Sequence, residues 1–142
     1  MNKTIKILIC TMGSRSIAPM LSSICEYAPN FELHIFRPMQ PTFGESYNIA
    51  MDKIFEFSDE LIIANDDVVL WPNTIELLLQ DVEFAKQAHG DSAGFVATRA
   101  DNIRPPQSIR YKNSERMERA RFVSPVFAWM SKKADRKSTR LN

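Results

Sequence analysis

Two adjacent acids at the end of an apolar run carry the clearest chemical signal in this chain. Leu61, Ile62, Ile63 and Ala64 are followed at once by Asn65, Asp66 and Asp67. An unbroken apolar run of that length reads as a strand covered on both faces, so its end delivers two carboxylates to the rim of whatever sheet it enters. Side chains alternate across extended backbone, which predicts that Asp66 and Asp67 point to opposite sides. Two like charges about 4 Å apart at an effective dielectric of about 20 repel by roughly 4 kcal/mol, so the pair calls for a cation or several donors close by. A hard divalent ion meets that requirement. It takes oxygen ligands, is commonly held by one or two carboxylates, and completes its shell with phosphate oxygens and water.

The elements that would position this pair follow from hydrophobic patterning. Residues 3–10 begin with alternation at Ile5 and Ile7 and become continuously apolar, a central first strand. The loop 11–16 (TMGSRS) contains Gly13, and Ser16 is placed to cap a helix that tolerates Pro19 in its first turn. Met20, Leu21, Ile24, Cys25 and Ala28 form that helix's apolar stripe. Residues 31–36 (FELHIF) alternate as a second strand with His34 on its polar phase, exposed or hydrogen-bonded and not a metal ligand. After a turn-rich loop over 37–44, Tyr47, Ala50, Met51 and Ile54 give a second helix its inward stripe, with Asn48 beside the core near its start. Asn73 with Glu76 resembles a capping box opening a third helix, whose stripe is Ile75, Leu78, Leu79 and Val82. A fourth strand is predicted over 93–98 and a fifth over 122–130, where Pro125 argues for an edge or a bulge.

Alternating strands and helices predict an α/β fold: a mostly parallel sheet, Rossmann-like, with right-handed crossovers and helices on both faces. Ligands of such sheets bind beyond the carboxyl ends of the strands, at the point where strand order switches. The loops at 11–15, 37–44 and 65–67 all fall at those ends, with the acidic loop in the middle.

Composition narrows the function classes. The 142 residues are 44% hydrophobic and 25% charged with a formal net charge of +1, enough for one domain and without a field that would recruit nucleic acid or an anionic membrane. The apolar run near the N-terminus is far too short for a signal peptide or a membrane span, which makes a cytoplasmic location the expectation. Cys10 and Cys25 lack CxxC spacing and are expected to be reduced core thiols. Residues 135–142 (DRKSTRLN) have no apolar periodicity and look like read-through of a sequencing adapter, leaving 1–134 as a domain expected to be the front part of a longer protein. The tail's three basic residues and one acid, taken from 18 Lys+Arg and 17 Asp+Glu, turn the net charge from +1 to −1.

Gly44, Asn48 and Ala50, then a helix, then the 61–64 strand with its Asn65-Asp66-Asp67 end, together resemble the G-x-x-x-N-x-A, helix, apolar strand, D-x-D pattern of family 2 glycosyltransferases with the GT-A fold. The resemblance extends over about residues 3–131. It implies a transferase that moves a sugar from a nucleotide-diphosphate donor to a hydroxyl acceptor, a glycan or another alcohol, with Mn²⁺ or Mg²⁺ across the two phosphates. Carried over by position, Asp67 is the metal ligand, Asp66 contacts the ribose or the metal through water, Thr11, Gly13 and Arg15 hold the nucleotide, and Gly44 and Asn48 line the donor pocket. The acidic pair that many members carry after the second strand is replaced here by Arg37-Pro38-Met39-Gln40, and no residue matches the family's catalytic base, which lies further along than this chain runs.

Other readings use the same residues. Asp66 and Asp67 can simply end a strand in solvent, and Gly44 can be only a turn residue. Trp71 and Trp129 read as packing residues before sugar platforms. The stretch holding Arg99, Arg104, Arg110, Arg116, Arg119 and Arg121 reads as a solvated segment, with a lid over the rim as its functional alternative. A sugar-phosphate nucleotidyltransferase shares the architecture but calls for a glycine-rich loop and a lysine after the first strand, where residues 11–15 supply one glycine and no lysine. A phosphoacceptor receiver domain needs acids where Cys10 and Thr11 stand, and GxxxxGK is absent. A non-catalytic nucleotide- or glycan-binding module of the same fold remains the alternative from a different class.

Overall fold

The computed structural model describes residues 4–28, 30–37, 42–101, 107 and 126–135. Five strands and three long helices follow one another as β1 (Lys6–Cys10), α1 (Ala18–Tyr27), β2 (Glu32–Phe36), α2 (Phe43–Phe55), β3 (Glu60–Ala64), α3 (Thr74–His89), β4 (Phe95–Ala97) and β5 (Phe127–Ser131), with a short α4 (Lys132–Asp135) after the last strand. The sheet order is β2-β1-β3-β5-β4. β1 pairs in parallel with both β2 and β3, whereas β5 runs antiparallel to β3 and to β4. The sheet is therefore mixed: β1, β2, β3 and β4 point the same way, as a mostly parallel sheet requires, and β5 runs against them. β5 sits inside the sheet, between β3 and β4, and begins at Phe127. It is not an edge strand, and Pro125, where a bulge is the other expectation, lies outside the described residues.

Period-two alternation divides the core into two halves. Ile5, Ile7 and Ile9 of the first strand region, Ile62 and Ala64 of β3, and Phe127 and Trp129 of β5 face α1 and α3, meeting Met20, Ile24, Ile75, Leu78 and Val82. Leu8 and Cys10, Leu61 and Ile63, and Ala128 and Met130 face the opposite way, onto Tyr47, Ala50, Met51, Ile54 and Phe55 of α2. Every residue of β3 is buried, as expected for a strand covered on both faces. Helices on both faces of one sheet make the molecule a three-layer α/β structure, compatible with a Rossmann-like arrangement.

Topology decides where the loops meet. The chain leaves β1 through α1 to reach β2 on one side, then returns through α2 on the other face to β3 on β1's far side. The strand order thus switches between β1 and β3, and the loops leaving these strands open a crevice at their carboxyl ends.

Several local expectations need correction. Ser16 is not the N-cap of α1; Ile17 holds that position without a side-chain bond, although the Ser16 hydroxyl accepts from the Ala18 amide at 3.2 Å. Asn73 is the N-cap of α3 but makes no side-chain capping bond; Thr74 Oγ1 instead accepts from the Trp71 amide at 2.9 Å. Cys10 is buried as expected, but Cys25 is exposed. Trp129 packs in the core at 1% exposure, whereas Trp71 is 66% exposed and is no packing residue. His34 is half-buried on the edge strand β2, and its Nε2, though 2.8 Å from Glu32 Oε1, is a buried atom that makes no hydrogen bond among the described residues, so the histidine is neither exposed nor hydrogen-bonded there as expected.

Candidate functional site

The crevice between β1 and β3 is a cleft of about 250 Å³ lined by Cys10, Arg15, Tyr47, Asn65, Asp66 and Asp67. Its walls are set from behind by a phenol. Tyr47, on the inward stripe of α2, accepts a hydrogen bond from the Cys10 amide at 3.4 Å and donates one to the Ala64 carbonyl at 2.7 Å. One hydroxyl therefore spans the ends of β1 and β3, the two strands whose loops form the site. A buried tyrosine generally places its polar tip against a partner, and here the tip satisfies two backbone groups where the strands stop pairing.

The loop after β1 turns back over the cleft. The Thr11 amide donates to the Phe36 carbonyl at 3.0 Å, and the Gly13 amide donates to Thr11 Oγ1 at 3.2 Å. Gly13 has φ 76°, a left-handed conformation that glycine adopts at little cost, and the tight bend carries the chain on to Arg15. Thr11 Oγ1 in turn donates to Asp66 Oδ2 at 2.9 Å. On the other side, the Asn65 amide donates to the Val126 carbonyl at 2.9 Å, and the backbone leaves the extended state in a turn at Asp66 and Asp67.

That turn overturns the expectation that the acids diverge. Both carboxylates meet the same side chain: Arg15 Nη1 lies 3.1 Å from Asp67 Oδ2, and Arg15 Nε lies 3.6 Å from Asp66 Oδ1. The repulsion between neighbouring acids is thus relieved within the protein, by a guanidinium arriving from the β1 loop. Asp66 is the more enclosed side chain, 18% exposed and held by Thr11, whereas Asp67 and Arg15 are 56% and 57% exposed. An ion pair so accessible to water contributes about 0–1 kcal/mol, so it orients these groups without locking them.

Sequence-predicted residues separate into three sets. Arg15, Asp66 and Asp67 line the cleft, and Thr11 and Gly13 shape its wall. Gly44, buried in the first turn of α2, and the half-buried Asn48 on the same helix are not among the residues that line the cleft. Of the expected lid, Arg99 is described and half-buried, whereas Arg104, Arg110, Arg116, Arg119 and Arg121 lie outside the described residues, as do 38–41 of the loop after β2 and 136–142 of the tail. Tyr47, Cys10 and Asn65 are the lining residues that the motif reading had not assigned to the site. The signal for Tyr47 was present, since a tyrosine on a helix's buried stripe requires a hydrogen-bond partner at its tip.

Neither of the two buried weak acids of the cleft is available as a base or nucleophile near neutrality. Burial pushes the Cys10 thiol from 9.0 up to about 12. Burial also raises the Tyr47 phenol far above its usual range, and the neighbouring Cys10, Asp66 and Asp67 add to that shift. What the cleft offers is one cation, an accessible carboxylate on Asp67, a more enclosed one on Asp66 and an amide side chain around an open volume.

Among the described residues no group of three or more His, Cys, Asp or Glu side chains is placed to enclose a metal. Asp66 and Asp67 still suit a hard cation whose remaining positions are filled by phosphate and water, because that kind of site needs only one or two carboxylates from the protein. No helix among the described residues is long and apolar enough to cross a membrane. No protein-family model, curated protein or solved structure matches this chain.

Proposed function

We propose that this chain is a nucleotide-sugar-binding domain of the GT-A type, part of a glycosyltransferase that moves a sugar from a nucleotide-diphosphate donor to a hydroxyl acceptor. The observation that carries the reading is the convergence of Arg15 with Asp66 and Asp67 in a cleft at the switch point between β1 and β3. Asp67 and Asp66 would hold Mn²⁺ or Mg²⁺, with Asp67, the more exposed, as the direct ligand and Asp66 fixed by Thr11 for the ribose or a metal-bound water. When bound, that ion would supply charge stabilisation to a departing nucleoside diphosphate. Arg15, on the opposite wall, is placed to pair with phosphate oxygens, for which a forked guanidinium is well suited. Tyr47 positions both walls by tying the strand ends together. No residue is assigned as catalytic base.

Isothermal titration calorimetry with UDP and GDP, with and without Mn²⁺, tests this reading. Binding that appears with Mn²⁺ and disappears with chelator supports it. Failure of both nucleotides to bind under either condition overturns it. The pairing of Arg15 with both acids favours one second reading, a non-catalytic nucleotide- or glycan-binding module whose charges are balanced without metal. Ligand binding indifferent to chelator would select that module. The sugar-phosphate nucleotidyltransferase alternative gains no support from the β1 loop, where residues 11–15 supply one glycine and no lysine.

A further inference from the structure

We infer that Arg15 is a specificity-determining residue: it makes the carboxylate pair selective for a metal–diphosphate complex over the bare divalent ion. The inference rests on the metal-site reading above and adds to it a role for the guanidinium already seated on both acids.

In the unliganded cleft, Arg15 neutralises part of the charge of Asp66 and Asp67 through Nε and Nη1. A lone divalent ion must displace that guanidinium, and afterwards stands beside it with the same sign of charge and nothing negative to receive it. A metal carrying a diphosphate brings the missing partner. The guanidinium then exchanges its two carboxylates for phosphate oxygens, which its planar fork of N–H donors can take in pairs, while the acids turn to the metal. Exposure makes the exchange feasible, since Arg15 and Asp67 are both more than half open to solvent and the pair between them is weak. The Thr11 hydroxyl holds Asp66 Oδ2 meanwhile, so one carboxylate stays in place through the exchange.

Removing any positive charge from the rim would favour cations, so the test needs a field control. Arg37 supplies it. It is exposed immediately after β2, whose last residue accepts the Thr11 amide, and so it stands on the same rim. Arg15→Gln and Arg37→Gln delete equal charge, but only the first frees the two carboxylates. Mn²⁺ alone is titrated into the wild-type protein and both variants, with free ion followed by electron paramagnetic resonance; UDP is then titrated at saturating Mn²⁺.

The exchange predicts that Arg15→Gln binds bare Mn²⁺ about three- to fivefold more tightly than Arg37→Gln does, the range set by an accessible ion pair. It also predicts that Arg15→Gln binds UDP in the presence of Mn²⁺ more weakly than wild type. Equal Mn²⁺ affinities in the two variants would show a simple field effect and overturn the inference while leaving the metal site intact. If neither variant nor wild type binds Mn²⁺, the metal site falls, and the inference with it.

Discussion

Strand β3 carries an acid at each end, and the two ends are treated in opposite ways. At the amino end, Glu60 is buried; its Oε2 accepts from Trp129 Nε1 at 3.2 Å and lies 3.5 Å from Lys86 Nζ, and that ammonium sits 5.2 Å from the centroid of the Trp129 ring. At the carboxyl end, Asp66 and Asp67 face a cleft, and their cation, Arg15, is more than half exposed. Both ends balance a negative charge with a positive one. Only at the carboxyl end does an acid itself, Asp67 at 56% exposure, stand open to solution, against 11% for the Glu60 side chain. A buried acid that accepts from a core indole is part of the fold, even with its ammonium partner Lys86 41% exposed, because removing either the acid or the indole strands a desolvated polar group. An acid whose partner is a solvent-exposed arginine can change partners at small cost, which is what a ligand site requires.

The contrast can be broken by substitution. The largest loss of stability is expected at the buried end. Trp129→Ala removes the largest fully buried side chain and leaves a cavity between β5 and the α1/α3 layer, costing roughly 3–5 kcal/mol in urea denaturation. Glu60→Ala leaves the indole N–H unpartnered and should cost about 1–3 kcal/mol by the same measurement. A loss near zero there would mean that the two ends of β3 are alike after all.

The next effect is one of pH. Burial holds the folded Cys10 thiol near 12 against 9.0 when unfolded, so above about pH 9 the unfolded chain sheds a proton that the folded one keeps. Stability therefore falls as pH rises from about 9 towards about 12, and Tyr47, raised in the same direction, steepens the upper part of the fall. Cys10→Ala should flatten the decline across that window. An unchanged slope in the variant would show that the thiol beneath the cleft is not shielded. The same contrast predicts that a thiol reagent at pH 8 labels exposed Cys25 quickly and Cys10 only on unfolding.

The smallest stability change is expected at the open end. Asp67→Ala should alter unfolding free energy by no more than about 0.5 kcal/mol, since it removes charge from a rim and no volume from the core. The same substitution should nevertheless abolish Mn²⁺-dependent nucleotide binding. Retained binding with unchanged metal dependence would remove Asp67 from the site.

Much of this arrangement was legible from residue types. The run 61–64 announced a strand buried on both faces, and alternation in β1 and the stripes of α1, α2 and α3 placed the elements on either side of it. The direction of β5 was not legible, because period-two alternation is the same for parallel and antiparallel pairing. Pro125 suggested an edge or a bulge, and β5, which starts two residues later, lies inside the sheet and not at its edge. Cys25 sat at the border of an apolar stripe where helical spacing alone does not separate core from surface, and Trp71 carried no spacing information at all. The acids themselves were found, yet their divergence was inferred from extended backbone that in fact turns at Asp66. Their pairing with Arg15 joins residues about fifty positions apart through side-chain geometry, which no local pattern encodes.

Amide chemical-shift mapping compares the two ends of β3 most directly. Addition of UDP with Mg²⁺ to the isotopically labelled protein should shift the amides of Thr11, Gly13, Arg15, Asn65, Asp66 and Asp67 and leave those of Glu60, Lys86 and Trp129 unmoved. Shifts confined to the Glu60 end, or none at either end at millimolar nucleotide, would contradict the assignment of the cleft between β1 and β3 as a diphosphate site.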